Sequence, residues 1–177
     1  MKTIKYKITF HTYWHCGSGL AAGANVDALV VKDKDGMPFV PGKTIKGLVR
    51  EAVGIFNADT DEQIFGTEGK VRSDSFFTNA VMNKDEHKFI VSQNASSYLY
   101  RTLASTAIDD DGIARDNSLR SIQVTVPCNL TGQIQNIPDD KAELVSKALR
   151  YIKRLGQWRN RGLGRCTITI NKKGGEQ

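Results

Sequence analysis

The densest chemistry in the chain lies in "GQWRNRGLGR", residues 156–165, where Arg159, Arg161 and Arg165 alternate with Gly162 and Gly164 and no acid intervenes. Glycine lacks the Cβ that blocks close approach, so a loop of this kind can offer bare N–H groups to a phosphate. Guanidinium groups beside it add planar, multi-donor contacts to phosphate oxygens. A second stretch, "PGKTIKGLVR" at 41–50, reads as the start of a helix, with Lys43, Lys46 and Arg50 spaced three and four apart along one side. A helix N-terminus exposes unpaired N–H groups and the positive end of the macrodipole, so both stretches favour an anionic strand. Gly47 within that helix costs roughly 1 kcal/mol against alanine, which suggests close approach to its backbone. The spacing is not that of a nucleotide-binding P-loop.

Other candidate ligands point to less. His11, His15 and Cys16 lie on or beside a strand, where their spacing aims them in no common direction. The histidines read as polar-face residues, useful at most for stacking on or hydrogen bonding to bases. "DKDG" (33–36) and "DDDG" (109–112) lack the full calcium-loop pattern and read as turns. Trp14 and Trp158 read as core or rim, while Tyr98 and Tyr100 share one face of an expected strand and keep a role as base platforms.

The elements that must position these residues follow from periodicity. Ile4, Tyr6, Ile8 and Phe10 alternate with Lys5, Lys7, Thr9 and His11, a half-buried strand. "DALVVKDKDGMPFV" reads as two short strands around Asp35-Gly36. Ile45, Leu48, Val49, Ala52, Val53 and Phe56 form the buried stripe of the first helix. "SDSFFTNAVM" and "HKFIVSQNASSYLYRT" read as strands, and "ASTAIDDDGIARDNSLR" as a polar protrusion. "SIQVTVPCNLTGQI" alternates through Ile122, Val124, Val126, Cys128 and Leu130, with Pro127 marking an edge or bulge. A second helix opens at Pro138-Asp139, with Asp139 as N-cap and a stripe through Ala142, Val145, Ala148, Leu149, Ile152 and Leu155. "CTITI" closes the chain as a strand. The order predicts one α+β domain spanning 1–177, ferredoxin-like or RRM-like, with helices on one face of the sheet.

Composition bounds the partners. The formal net charge is +6 over 177 residues, and every charged side chain from Lys147 to Gly175 is basic. Acids collect elsewhere, at Asp59, Asp61 and Glu62 and at Asp109, Asp110 and Asp111. A one-signed segment favours a polyanion through counterion release, although a solvated basic face has the same composition. Three widely spaced cysteines, Cys16, Cys128 and Cys166, match neither a disulfide framework nor a metal site, which points to a reducing cytoplasm. No stretch reaches the roughly 20 apolar residues of a membrane span.

Taken in order, "HCGSG", "FVPGKTIKGLVR", "IFG" at 64–66, "DNSLRSIQVTVP" and "GQWRNRGLGRC" resemble the RAMP superfamily of CRISPR-associated proteins, from about Ile4 to Ile170. The likeness is to the repeating backbone subunit of type III effector complexes. It implies a domain that multimerises along a guide RNA (crRNA), beside other effector subunits and complementary target RNA. It places His15, Gly17 and Ser18 of the first glycine-rich turn against that RNA. Lys43, Lys46 and Arg50 of the helix, and Arg159, Arg161, Gly162, Gly164 and Arg165 of the last loop, join them. A thumb around 103–119 would wedge between nucleotides. By the same resemblance Asp27, in "ANVDALVVKD", matches the aspartate that cleaves target RNA with a divalent metal, Mg2+ by expectation. On residue type alone Asp27 reads foremost as a turn or strand-edge aspartate bonded to nearby N–H groups. Two further readings stay open: a non-catalytic scaffolding or capping subunit, and an endonuclease that processes precursor RNA through His11 or His15.

Overall fold

A computed structural model describes residues 1–22, 26–56, 62–67 and 73–170. Asp59 and Asp61 of the first acidic group, and Lys172 and Lys173 of the basic run, lie outside the described residues.

The first strand, β1 (Lys2–Phe10), follows the alternation in sequence: Ile4, Tyr6, Ile8 and Phe10 are buried and Lys5 is exposed. Helix α1 (Gly42–Phe56) turns Ile45, Val49, Ala52 and Val53 inward. After the short α2 (Glu62–Phe65) come β2 (Phe76–Phe77), α3 (Lys84–Ser92), β3 (Tyr100–Ser105) and β4 (Arg120–Thr125). Then follow β5 (Asn129–Ile137), α4 (Ala142–Tyr151) and β6 (Cys166–Ile170). The main sheet runs β2-β5-β1-β6, and each neighbouring pair is antiparallel. Counted along the chain as four core strands, this is the order four-one-three-two of a ferredoxin-like fold, with α1 and α4 as its two crossover helices. Val145, Ala148 and Leu149 of α4 pack with the α1 stripe onto Tyr6, Ile8, Leu130, Ile134 and Ile168 in one core. The opposite face, with Lys5, Thr131, Thr167 and Thr169, is exposed.

A two-stranded hairpin, β3–β4, is inserted between the second and third core strands. Two strands alone are marginal in water. The base of this hairpin is held by a second small core of Ile122, Val124 and Leu163, with Ala28, Leu103 and Trp158 packed against it. The glycine-arginine loop, which contributes Trp158 and Leu163, is therefore joined to the hairpin. The expected protrusion matches the tip of this hairpin, where Ile108, Ile113 and Leu119 are exposed.

Four local expectations need correction. Residues 84–92 are helical, because Asn83 caps the N-terminus by accepting from the Asp85 N–H and Asp85 and Glu86 complement the dipole. The run 120–137 is two strands in different sheets, broken at Pro127, which cannot donate to a ladder. Around Asp35-Gly36 the only pairing is an isolated bridge, Lys32 to Pro38. Asp139 does not cap α4: its carboxylate binds the terminal ammonium at 2.5 Å, and α4 begins at Ala142 after a 3-10 turn.

Candidate nucleic-acid interface

The basic side of α1 is open. Lys43 and Arg50 are exposed and Lys46 is half-buried. A Cβ at Gly47 would meet no atom within 4 Å, so no internal packing requires glycine there. Grooves flank this side of the helix. One is lined by Lys43, Lys46, Gly47, Arg50 and the 65–67 segment. The other runs between Lys43, Thr44 and Gly47, the His15–Gly17 segment, and Gly156, Gln157 and Arg159. Partial burial, and then the neighbouring Arg50 guanidinium, lower the pKa of the Lys46 ammonium below its usual value. Crowded, partly desolvated positive charge of this kind is relieved by an anion.

Arg50 is partly committed. Its guanidinium donates to the Phe65 and Gly66 carbonyls at 2.8 and 2.9 Å, closing the end of α2. Gly42, first in α1, is needed for space, since a Cβ there would lie 2.0 Å from the Phe77 carbonyl oxygen.

The last loop turns through Trp158 in the left-handed region and a 3-10 turn, Arg159–Arg161. Its two glycines do different work. Gly162 is exposed with φ +86°, and a Cβ there would meet nothing. Gly164 is buried: its N–H donates to the Tyr13 carbonyl at 2.7 Å, and a Cβ would fall 1.9 Å from the Leu155 carbonyl oxygen. Gly164 therefore holds the loop in shape, and its main chain is not free for a phosphate. Arg161 lies over the Trp158 ring at 5.2 Å, and Arg159 is 3.9 Å from Glu51 of α1. Arg159, Arg161 and Arg154 line an open groove of about 820 Å³. Arg165 is exposed, while its N–H donates to Thr12 and its carbonyl accepts from His11.

The first glycine-rich turn lies beside the second α1 groove. His15 is buried, and its Nδ1 meets the Gln123 carbonyl at 2.6 Å. A carbonyl only accepts, so Nδ1 carries the proton in that bond, which fixes the ring's orientation. His15 Nε2 is buried with no hydrogen-bond partner among the described residues and lies 3.1 Å from where a Cβ on Gly17 would sit, so a side chain there would crowd it. Ser18 Oγ donates to the Leu29 carbonyl at 3.0 Å and accepts from the Leu20 N–H, which fixes the turn. His11, by contrast, meets Thr167 of β6 at 2.8 Å, so the two histidines serve different elements. Trp14 is core, stacked on Phe10 at 4.4 Å. Tyr100 is buried, and Tyr98, in a 3-10 turn and not a strand, is exposed.

Asp27 is exposed beside the loop end of the β3–β4 ladder. Its N–H donates to the Ser121 carbonyl at 2.8 Å and its Oδ2 accepts from the Ser121 N–H at 2.7 Å. Asp27 belongs to no group of three metal-ligating side chains among the described residues: the one such group is Asp33, Asp35 and His87. That group is half-buried to exposed and could coordinate a metal ion. A lone carboxylate suffices for Mg2+ only where substrate phosphates and water complete the shell. Sequence reasoning missed His87, because the helix that carries it was read as a strand.

A family model for the RAMP superfamily matches residues 7–167. The chain belongs to the RAMP superfamily. Its fold is similar to that of a chain in the type III-B Cmr-beta assembly bound to cognate target RNA, solved by cryo-EM, with TM-score 0.76 and 11% identity over 96% of this chain and 97% of that one. It is also similar to a chain of the apo Cmr-beta assembly, with TM-score 0.75 and 12% identity over the same shares. No curated protein sequence matches it. As a RAMP-superfamily domain it has both α1 and the glycine-arginine loop beside one groove. Among the described residues, no helix is long and apolar enough to cross a membrane.

Proposed function

We propose that this chain is a guide-RNA-binding backbone subunit of a type III CRISPR effector, and that copies of it repeat along the RNA. The observation that carries the proposal is the open basic side of α1 at Gly47, flanked by two grooves, one of which extends to Gly156, Gln157 and Arg159 of the last loop. Lys43, Lys46, Arg159 and Arg161 neutralise successive phosphates there, and the bare main chain at Gly162 admits the backbone. His15 and Gly17 shape the wall of the same groove, and Ser18 fixes the turn that carries them. Contacts to phosphate and ribose carry no base information, which suits a subunit that must hold any guide sequence. The hairpin tip, with Ile108, Ile113 and Leu119 exposed, is the apolar wedge that separates nucleotides.

Target cleavage at Asp27 is the attached claim. In that reaction the target's 2′-oxygen bonds to the adjacent phosphorus and the bond to the 5′-oxygen breaks. The 2′-OH proton leaves to solvent and the 5′-oxygen gains one, giving a cyclic phosphate and a 5′-hydroxyl. A divalent ion such as Mg2+, held by Asp27 with substrate oxygens, would supply neutralisation of phosphoryl charge. The chain's own part is to keep the displaced nucleotide in line for attack beside the loop end of the β3–β4 ladder. The bond from the Ser121 N–H to the Asp27 carboxylate favours the second reading, a non-catalytic scaffold or capping subunit, in which Asp27 only fastens the hairpin.

The experiment is RNA binding by the full chain across salt concentrations. A Lys43→Gln, Arg159→Gln, Arg161→Gln triple variant is expected to weaken binding to unrelated RNA sequences equally. It should also lower the slope of log affinity against log salt by about 2, at roughly 0.7 per lost contact to a single strand. Loss confined to particular sequences, or an unchanged slope, overturns the reading.

A further inference from the structure

Away from the basic grooves, three ligating side chains from two elements meet. In the 33–36 turn, Asp33 Oδ1 accepts the N–H groups of Asp35 and Met37, each at 2.9 Å. Its Oδ2 faces His87 of α3, whose Nε2 stands 3.2 Å from it and 3.6 Å from Asp35 Oδ2. All three ligand atoms lie within 4.8 Å of one another, and each side chain keeps between 26% and 35% of its exposure.

Donors bonded to one ion at about 2.1 Å stand roughly 3.0 to 3.4 Å apart in octahedral or tetrahedral geometry. The two edges at His87 are already close to that range. One imidazole with two carboxylates suits a borderline ion of the zinc class, whereas Mg2+ and Ca2+ prefer oxygen alone. The turn itself does not demand a metal. "DDDG" at 109–112 makes the same turn, with Asp109 Oδ1 accepting from Asp111 and Ile113, and its three acids form no such group with a histidine. What sets the 33–36 turn apart is α3, a helix with no buried residue of its own that nonetheless presents His87 to both carboxylates.

We propose that Asp33, Asp35 and His87 bind one divalent ion of the zinc class, completed by water, which staples α3 to the 33–36 turn. This site is separate from Asp27. Tyr100 Oη donates to the Gly36 carbonyl at 2.6 Å, and Tyr100 pairs with Thr125 at one end of β4, while Asp27 pairs with Ser121 at the other. Four residue steps along the strand, about 13 Å, separate them. The metal site therefore stands or falls independently of RNA cleavage.

The test uses the full, untagged chain, stripped with EDTA and dialysed. ZnCl2 is titrated by calorimetry, and CoCl2 is followed by visible absorption. The expected result is one equivalent of Zn2+ per chain, Co2+ bands characteristic of nitrogen-oxygen coordination, and slower amide exchange over residues 84–92 in the presence of Zn2+. His87→Ala and Asp35→Asn should each weaken Zn2+ binding at least tenfold, and Asp27→Asn should not. Asp35 is the more exposed ligand, so its variant keeps the test open if His87→Ala fails to fold. No binding by the unsubstituted chain, equal binding by both ligand variants (an adventitious ion only), or unaltered exchange over α3 overturns the proposal.

Discussion

Replacing Asp27 separates chemistry from structure because two different substitutions remove different things. Alanine removes both the charge and the acceptor for the Ser121 N–H, now held at 2.7 Å. Asparagine removes the charge and keeps a carbonyl oxygen that can accept the same proton. Hydrogen bonds to charged groups contribute about 1.5–3 kcal/mol when well shielded, but Asp27 is exposed, so about 1 kcal/mol is the reasonable share here. For a chain of this length that corresponds to a melting point lower by about 2–4 °C in Asp27→Ala, with Asp27→Asn much less affected. If the carboxylate acts on the scissile phosphate, both variants should lose at least about 100-fold in the cleavage step, the low end of what a positioned charge or proton acceptor supplies. The assay is single-turnover cutting of guide-paired target RNA by the assembled complex in Mg2+, with RNA binding measured in parallel. An Asp27→Asn variant that cuts within about threefold of the unsubstituted protein refutes the catalytic assignment. Activity retained in Asp27→Asn but lost in Asp27→Ala would assign Asp27 to fastening β4 of the hairpin.

The two loop glycines should part company. Gly164→Ala forces a Cβ to 1.9 Å from the Leu155 carbonyl oxygen at φ +71° and should cost at least about 3 kcal/mol in urea denaturation. Gly162→Ala, at φ +86° in open space, should cost only about 1–2 kcal/mol yet weaken RNA binding, and unchanged affinity would show that no strand approaches it. Burial pushes the Cys16 thiol up to about 12, and those of Cys128 and Cys166 up to about 11. The unfolded chain, whose thiols titrate near 8.5, then loses these protons first. Stability is intact below that value and should fall as pH rises above it, by about 1.4 kcal/mol per pH unit for each group. Cys16→Ala should flatten that slope between pH 9 and 11 in denaturation experiments.

What could be read from the chain alone was whatever depends on near neighbours. The alternation at Ile4–Phe10 and the stripe from Ile45 to Val53 each bury one face, so β1 and α1 follow from periods of two and 3.6. The basic side of α1 and the glycine-arginine loop were visible for the same reason. The errors came where local preference was ambiguous: Ile90 and Val91 suggested a strand, but the Asn83 cap and the acidic first turn made a helix. Whether Pro127 bends one strand or divides two sheets depends on which partners β4 and β5 find, and no local rule supplies that.

The site's finer assignments were decided by contacts between distant segments. Gly162 and Gly164 look equivalent in sequence, yet one is open and the other fills a space that only the Leu155 carbonyl defines. His15 becomes a buried wall because Gln123 lies across from it, and Asp27 is tied to a residue 94 positions away. Asp33, Asp35 and His87 meet only because α3 packs over the turn. Periodicity fixes which side of an element faces inward, but what waits there depends on strand register and helix packing across the whole chain, and those exist only once it has folded.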